Sequence, residues 1–302
     1  MKRGWITWDK TELPPSAFES RLAKVRQHLF EKELPALVVY TDVWRSNQGR
    51  YLSNFMPYWN RALLVIPRDS APVLLCGLSP RVYPWIRSVT ILEDIRANMN
   101  LAKMRDENGW NKVGVLDFPL LPYDLSVPNA VDVPWIAIHP EPDEGELSMY
   151  RHAAKMAREI LREELRAAVG LIDHEFVGRL ERKYRTAGVE DLVVLVTNGD
   201  TPPVPPIGST LTPSFSVSVA MEYRGHWVKI VGSGFQPAAG LPPGASNSKI
   251  ELLSGPYSYE SCRPTDLKPG SIFASVAQST IGGKRIFQGD TYRQGPNGPE
   301  LL

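Results

Sequence analysis

The chain has 302 residues, of which 43% are hydrophobic and 22% charged, and its formal net charge is +1. This composition is typical of a globular protein with one large domain or two ordinary ones. No basic block and no apolar run of about 18 residues occurs, so we expect neither a nucleic-acid partner nor a membrane span. Without an apolar leader segment the N-terminus indicates a cytoplasmic location. Cys76 and Cys262 are too few for a disulfide framework and are interpreted as reduced thiols.

The first half alternates a helix with short apolar segments. Phe18, Leu22, Val25 and Leu29 recur at helical spacing and predict a helix over residues 16–33. Five segments typical of strands follow: LPALVVYTD, NRALLVIPRD, APVLLCG, VTILEDI and KVGVLDF. This alternation predicts an α/β layer domain with a boundary near residue 140.

The second half opens with two helices and continues as strands and turns. Amphipathic spacing predicts a helix over residues 143–169 and a second one from an N-cap at Asp173 to Gly188. SVSVAMEYRGHWVKIVG, residues 216–232, predicts a hairpin whose polar turn covers Glu222 to Gly225. A stretch rich in proline, glycine and serine follows over residues 232–256.

Several motifs occur in an order that resembles the creatinase and aminopeptidase P family over nearly the whole chain. They are YLSNF, LLVIPRDSAPVLL, DEGELSMYRHAAKMAREI, EYRGHWVKIVGSG, LKPGSIFASV and GDTYRQGPNGPELL. The resemblance implies an α/β (α+β) fold, with a creatinase-like N-terminal α/β domain over 1–140 and a shortened pita-bread domain over 141–302. It also implies a homodimer in which the N-terminal domain reaches the partner's pocket, for which Trp44, Trp59 and Trp85 suit an interface core.

The chain departs from this family at the metal site. Family members hold two metal ions with two Asp, one His and two Glu. Matching the motifs places Ser218 and Lys229 at the two Asp positions, Gly289 at one Glu position and Ser275–Ala277 around the other. The segment that would carry the histidine contains none. We therefore expect no metal and no other cofactor.

A metal-free creatinase mechanism is not implied either. Creatinase cleaves a C–N bond with a catalytic histidine, which would fall near Pro205 to Gly208. This chain has PPVPPIG there.

Three residues of the hairpin are candidates for catalysis. Lys229 could supply the positive charge that a metal supplies in relatives; alternatively, it is a solvated lysine on an edge strand. His226 could act as a general base, or be a half-buried strand histidine. Glu222 could assist them, or be a solvated turn residue.

Three more residues are candidates for substrate binding. Arg61 could clamp an anion from the N-terminal domain of a partner subunit. Glu260 and Arg263 flank Cys262, and Arg263 could hold a carboxylate with two hydrogen bonds or lie on the surface.

Two classes of function remain open. The first is a metal-independent hydrolase or lyase acting on a small polar amide, guanidino or carboxylate compound. The second is a non-catalytic pita-bread pseudoenzyme that serves as a binding or interaction module. The short segment after the hairpin favours the pseudoenzyme. The enzyme is favoured by the position of three polar residues on one hairpin, namely Lys229, His226 and Glu222.

Overall fold

The computed structural model describes residues 7–57, 60–125, 127–199, 201–234, 248–253, 259–281 and 283–302. These residues form two compact units, one ending at Pro140 and the other covering Glu141–Leu302. Trp59 lies outside the described residues. In the described part of the chain, no helix combines the length and the apolar character that crossing a membrane requires.

The first unit is a mixed sheet with helices, as the sequence predicted. Its elements are α1 (Pro15–Glu31), β1 (Ala36–Thr41), α2 (Asn47–Ser53), β2 (Ala62–Pro67), β3 (Val73–Cys76), α3 (Tyr83–Val89), β4 (Asp94–Arg96), α4 (Leu101–Asn108), β5 (Val113–Leu116), β6 (Ala130–Val133) and α5 (Trp135–Ile138). The strand order is β4-β3-β2-β1-β5-β6. The strand predicted over residues 89–95 is shorter and lies further along the chain, at Asp94–Arg96, and Val89 belongs to α3.

Alternating side chains of this sheet are buried on both faces. Leu37 and Val39 of β1 pack with Leu22 and Val25 of α1, whereas Val38 lies in a second cluster with residues of α4. Strands buried on both faces appear as continuous apolar runs, which explains why β1 and β2 were recognisable in the sequence.

The second unit is a large antiparallel sheet covered by two helices. Its elements are α6 (Glu144–Leu165), α7 (Asp173–Thr186), β7 (Asp191–Thr197), β8 (Ser216–Tyr223), β9 (His226–Ser233), β10 (Ser248–Leu253), β11 (Tyr259–Cys262), β12 (Ile272–Ile281), β13 (Lys284–Gly295) and β14 (Gly298–Leu301). The described strands follow the order β11-β10-β12-β13-β9-β8-β7, and β14 pairs with β13.

Helix α6 is fixed at its start by a capping box. The Asp143 side chain accepts the N–H of Glu146, and the Glu146 side chain accepts the N–H of Asp143. Such reciprocal bonds satisfy two backbone donors that the first helical turn leaves without partners. Further along α6, Ala153 and Leu161 pack in one core with Phe176 of α7.

Asp173 does not cap α7 as predicted, because the helix begins at Asp173 itself and its N-cap is Ile172. The buried carboxylate instead accepts backbone N–H groups of Ile207, Gly208 and Ser209, at 3.0, 2.8 and 3.1 Å. Burial raises the pKa of this carboxyl, but the backbone donors lower it by more, so that the pKa lies below its usual range. Asp173 therefore holds the segment before β8 against α7.

We expect Asp173→Asn to lower the free energy of unfolding at pH 7 by about 1–3 kcal/mol, because buried N–H groups lose a charged acceptor. A carboxyl group whose pKa is lower in the folded than in the unfolded protein stabilises the fold. Its contribution is complete at pH values above the unfolded-state pKa of about 3.9, and it is lost as the pH falls through the folded-state pKa. The difference between variant and parent should thus persist from pH 7 to 5 and shrink below about pH 4. Urea unfolding at these pH values measures it.

Glu175→Gln is the matched control, because Glu175 lies on the same helix and is half exposed beside Arg179. Its effect should stay below about 0.5 kcal/mol. A parent and an Asp173→Asn variant of equal stability at pH 7 would contradict the role of this carboxylate.

Candidate functional site

Hairpin β8–β9 has a shorter turn than predicted. The strands pair as far as Tyr223 and His226, which leaves a two-residue turn of Arg224 and Gly225. Both turn residues have positive φ, 48° and 85°, as a type I′ turn requires. Glu222 therefore belongs to β8 and is fully buried, and its prediction as a turn residue is wrong.

The pairing of the hairpin defines two faces. Val219 and Ile230 are opposite each other and lie in the core with α6 and α7, on what we term the helix face. Ala220 and Lys229 are opposite each other on the other face, termed the lysine face. Because side chains alternate along a strand, Glu222 lies on the lysine face with Lys229.

The positions matched to metal ligands come together in the structure. Ser218 is opposite Val231, Val231 is opposite Gly289, and Gly289 is opposite Val276. Directly opposite residues share a face of a sheet, so these four residues form one row on the lysine face. Lys229 is two residues from Val231 and lies on the same face. The motif matching thus identified positions that are adjacent in space.

Lys229 is not a solvated residue of an edge strand, because β9 lies between β13 and β8. Its side chain is 14% exposed, and its Nζ is 2.5 Å from Oε2 of Glu251, which is 7% exposed. The backbone of Lys229 is fixed too: its N–H donates to Thr291 Oγ1 and its C=O accepts the same hydroxyl, both at 2.9 Å. The lysine is held in place by a nearly buried ion pair.

Glu251 was missed in the sequence. It lies in the stretch over residues 232–256 that is rich in proline, glycine and serine, for which no strand was predicted. It also forms an ion pair with Lys249, at 3.2 Å, whose side chain is 61% exposed. The alternation in KIELL was the available indication of a strand there.

The residues in the row do not fit a metal centre. A Cβ added at Gly289 would lie 2.6 Å from the carbonyl oxygen of Ser275, so a glutamate at this position would require the neighbouring strand to move. Lys229 and Ser218 supply no anionic ligand. Among the residues that the structure describes, no group of three His, Cys, Asp or Glu could hold a metal ion.

His226 lies on the helix face, away from the side of the sheet that carries Lys229. It is directly opposite Tyr223, its ring meets that of Tyr150 edge-on at 4.8 Å, and its Nε2 is 3.9 Å from Oε1 of Glu146. Burial, followed by the carboxylates of Glu146 and Glu222, raises the pKa of Tyr150 well above its usual range. The structure thus places His226 in a cluster with Tyr150 and Glu146 of α6. Its role as a general base for chemistry at Lys229 stays a prediction.

The predicted substrate-binding residues have other surroundings. Arg61 belongs to the first unit and holds Asp124 with two hydrogen bonds, at 2.5 and 3.0 Å. Arg263 is exposed and pairs with Asp266 at 3.1 Å. Glu260 pairs with Leu252 through its backbone, and its side chain lies outside the described part of the chain.

A buried acidic residue next to the row also escaped prediction. Asp290 is 1% exposed and its Oδ1 is 2.8 Å from Nη1 of Arg158 on α6. Burial raises the pKa of this carboxyl, against the opposing effect of Arg158. Arg158 also donates to the carbonyl oxygen of Leu302, at 2.5 Å. These contacts join α6 to β13 on the side opposite Gly289 and Thr291.

Comparisons with known proteins give a fold match without a sequence match. No protein-family model matches the chain, and no curated protein matches it in sequence. Among solved structures, an Xaa-Pro dipeptidase from Bacillus anthracis matches with a TM-score of 0.66 at 15% identity, over 94% of this chain and 97% of that chain. The prolidase from Pyrococcus horikoshii OT3 matches with 0.64 at 11% identity, over 93% and 97%.

A third match is the His243Ala form of Escherichia coli aminopeptidase P, with a TM-score of 0.62 at 11% identity, over 95% of this chain and 94% of that chain. These three proteins are named as peptidases or as a form of one. The order of the sequence motifs predicted the same fold. The chain has the pita-bread fold of prolidase and aminopeptidase P structures.

Proposed function

We propose that this chain is a non-catalytic pita-bread protein, a binding or interaction module in which an ion pair stands in the place of a metal centre. The observation that carries the proposal is the contact of 2.5 Å between Lys229 Nζ and Glu251 Oε2, because Lys229 stands at a position matched to a metal ligand. The fold is one that hydrolases use, and the side chains in the row differ from those that hydrolytic metal chemistry needs.

Charge argues against a metal at this place. At 4 Å and an effective dielectric constant of about 20, two unit charges of equal sign repel by about 4 kcal/mol. A divalent ion near the Lys229 ammonium would meet that repulsion for each of its charges. Glu251 is already held by Lys229 and Lys249, so its carboxylate is not available to offset it.

The same contact weakens the case for catalysis by Lys229 alone. A catalytic cation stabilises developing negative charge in a water-poor site. With Glu251 at contact distance, the pair is close to neutral and offers little net charge to a substrate. His226, the proposed proton carrier, lies on the other face of the hairpin.

We expect no metal-dependent peptidase activity. Purified protein incubated with Xaa-Pro dipeptides and Mn²⁺, Co²⁺ or Zn²⁺ should release no amino acid above the protein-free rate. Elemental analysis after dialysis should find far less than one metal ion per chain. Stoichiometric metal together with metal-stimulated hydrolysis would overturn the proposal.

A double-mutant cycle tests the ion pair itself. Removing one member of a buried pair leaves a charge without its partner and costs about 3–5 kcal/mol, whereas replacing both by apolar residues is often neutral. We expect Lys229→Met to lower the free energy of unfolding by about 3 kcal/mol, and Lys229→Met/Glu251→Met to return within about 1 kcal/mol of the parent. Glu251→Met should cost about as much as Lys229→Met, because it leaves the Lys229 ammonium without its partner. Chemical denaturation compares the parent with the two single variants and the double variant.

Lys249→Met is the control for this cycle, because Lys249 touches the same carboxylate from an exposed position. Its effect should be below about 1 kcal/mol. Strictly additive effects of Lys229→Met and Glu251→Met would show that the two side chains are not coupled.

The second candidate is a metal-independent hydrolase or lyase for a small polar amide, guanidino or carboxylate compound. Its support is the position of the Lys229 ammonium, which is nearly buried and fixed through Thr291 on the face that also carries Glu222. This candidate needs a substrate that displaces Glu251 from the lysine.

If this second candidate is right, metal-free protein turns over a compound of this class, and Lys229→Met lowers the rate about a hundredfold, as for the loss of one electrostatic stabiliser. Lys249→Met should then retain full activity. The assay compares initial rates at a temperature where both variants are folded. An unchanged rate in Lys229→Met would exclude the lysine from the chemistry.

A further inference from the structure

Three asparagines of the chain are each followed directly by a glycine, namely Asn108, Asn198 and Asn297. The backbone nitrogen of the residue after an asparagine can attack the carbon of the asparagine side-chain amide and close a five-membered succinimide ring. Glycine permits this attack most readily, because it has no side chain and restricts the backbone least. The sequence alone does not rank the three pairs, whereas their hydrogen bonds in the structure do.

The pair Asn108–Gly109 lies at the end of α4 and is held there by backbone groups. Nδ2 of Asn108 donates to the carbonyl of Met104 at 2.8 Å. Gly109 is the C-cap residue of the helix, and its N–H donates to the carbonyls of Arg105 and Asp106. The nitrogen that would attack is thus already bonded, and the amide that it would attack is bonded to the preceding turn of the helix.

The pair Asn198–Gly199 follows β7 and is held at both ends of the side-chain amide. Nδ2 of Asn198 donates to the carbonyl of Thr210 at 2.8 Å, and its Oδ1 accepts the N–H of Thr212 at 2.9 Å. The N–H of Gly199 donates to Oγ1 of Thr197 at 3.3 Å. These bonds keep the amide carbon of Asn198 from turning toward the Gly199 nitrogen.

The pair Asn297–Gly298 has a different environment, in the turn between β13 and β14. Gly295 is opposite Gly298, so the turn consists of Pro296 and Asn297 alone, and both of these residues are exposed. Within the described part of the chain, no group forms a hydrogen bond with the Asn297 side chain. The Asn297 amide can therefore rotate toward the Gly298 nitrogen without breaking a bond of its own.

Crowding does not distinguish the three pairs. A Cβ added at Gly109, Gly199 or Gly298 would find no heavy atom within 4 Å. The interaction that opposes the attack at Asn297 is the pairing of β14 with β13. Among the described strands β14 pairs with β13 alone, and three of its four residues are exposed. A strand with so few buried contacts opens locally at a low free energy, and this opening releases the Gly298 nitrogen.

We propose that Asn297 is a site of spontaneous deamidation through a succinimide formed with Gly298. The Gly298 nitrogen forms a bond to Cγ of Asn297, and the bond between Cγ and Nδ2 breaks. Nδ2 leaves as ammonia and takes the proton that the Gly298 nitrogen gives up. Water then opens the ring at one of its two carbonyls, which produces aspartate or isoaspartate at this position. This inference goes beyond the proposed function and does not depend on whether the chain is catalytic.

The isoaspartate product changes the turn itself. Its main chain runs through Cβ and Cγ, so the turn gains one main-chain carbon atom. A two-residue turn fixes the pairing of the strands on either side of it, so the added atom disturbs the pairs of β14. Leu302 follows β14, and its N–H donates to the carbonyl of Thr291 at 3.1 Å. We therefore expect the Leu302 N–H to exchange with solvent faster in the isoaspartate form.

Peptide mass spectrometry after long incubation of the folded protein at mildly alkaline pH tests the site. The peptide that contains Asn297 should gain about 1 Da as the amide becomes a carboxyl group. Its rate should be about tenfold or more above the rates of the peptides that contain Asn108 and Asn198, which serve as internal controls. Asn297→Gln should remove the change, because a glutamine side chain would have to close a larger ring.

The same incubation in urea separates the effect of the structure from the effect of the sequence. Unfolding removes the hydrogen bonds that hold Asn108 and Asn198, so the three peptides should then react at similar rates. Hydrogen exchange of the separated isoaspartate form, compared with the unmodified protein, measures the expected loosening of β14.

Three outcomes would overturn the inference. An Asn297 peptide that keeps its mass in the folded protein while the unfolded chain reacts would show that the turn protects this asparagine. Equal rates for the three peptides in the folded protein would show that their hydrogen bonds do not control the reaction. An isoaspartate form in which the Leu302 N–H exchanges as slowly as in the unmodified protein would exclude the effect on β14.

Discussion

The ion pair between Lys229 and Glu251 constrains the whole sheet of the second unit. β9 and β10 are separated by β13 and β12, which places them about 14 Å apart along a sheet with a strand spacing of about 4.8 Å. A contact of 2.5 Å between their side chains requires the sheet to curl toward the lysine face. Thr291 and Ala274 are the residues of the intervening strands that stand in line with Lys229 and Glu251, since Thr291 bonds the backbone of Lys229 and Ala274 is opposite both Thr291 and Glu251.

The sequence predicted the parts of the fold that rest on local periodicity. Helices α1, α6 and α7 repeat apolar residues at helical spacing, and the buried strands β1 and β2 are continuous apolar runs. The errors came from interactions over long sequence distances. The local sequence around Asp173 is typical of an N-cap, and the structure shows instead that its carboxylate binds the backbone at residues 207–209. Glu251 contacts Lys229 only because four strands of the sheet lie side by side.

Motif matching selected positions that the strand register brings together, and it did not find the side chains that contact Lys229. Motif matching put Ser218, Lys229 and Gly289 together, and the strand register brings Ser218, Gly289 and Lys229 onto one face. Alternation along β9 separates His226 from Lys229, three residues apart, although both sit on one hairpin. This separation follows from the odd number of positions between the two residues, because side chains alternate between the two faces of a strand whatever the register of its pairing.

A pita-bread sheet without metal ligands, which is what we propose for this chain, must balance the charges on its lysine face in another way. In a metal centre, carboxylates that would repel one another are held together by the cations. Here the row contains Ser218, Val231, Gly289 and Val276, which carry no charge, and the Lys229 ammonium beside it pairs with the carboxylate of Glu251, from a strand that the curl brings within reach. If the chain is metal-free, as we propose, the pair of Lys229 with Glu251 takes the place that anionic ligands and their cations would hold. In the metal-free protein that we propose, Lys229 and Glu251 neutralise each other on the lysine face, so neither is left there as a buried charge without a partner.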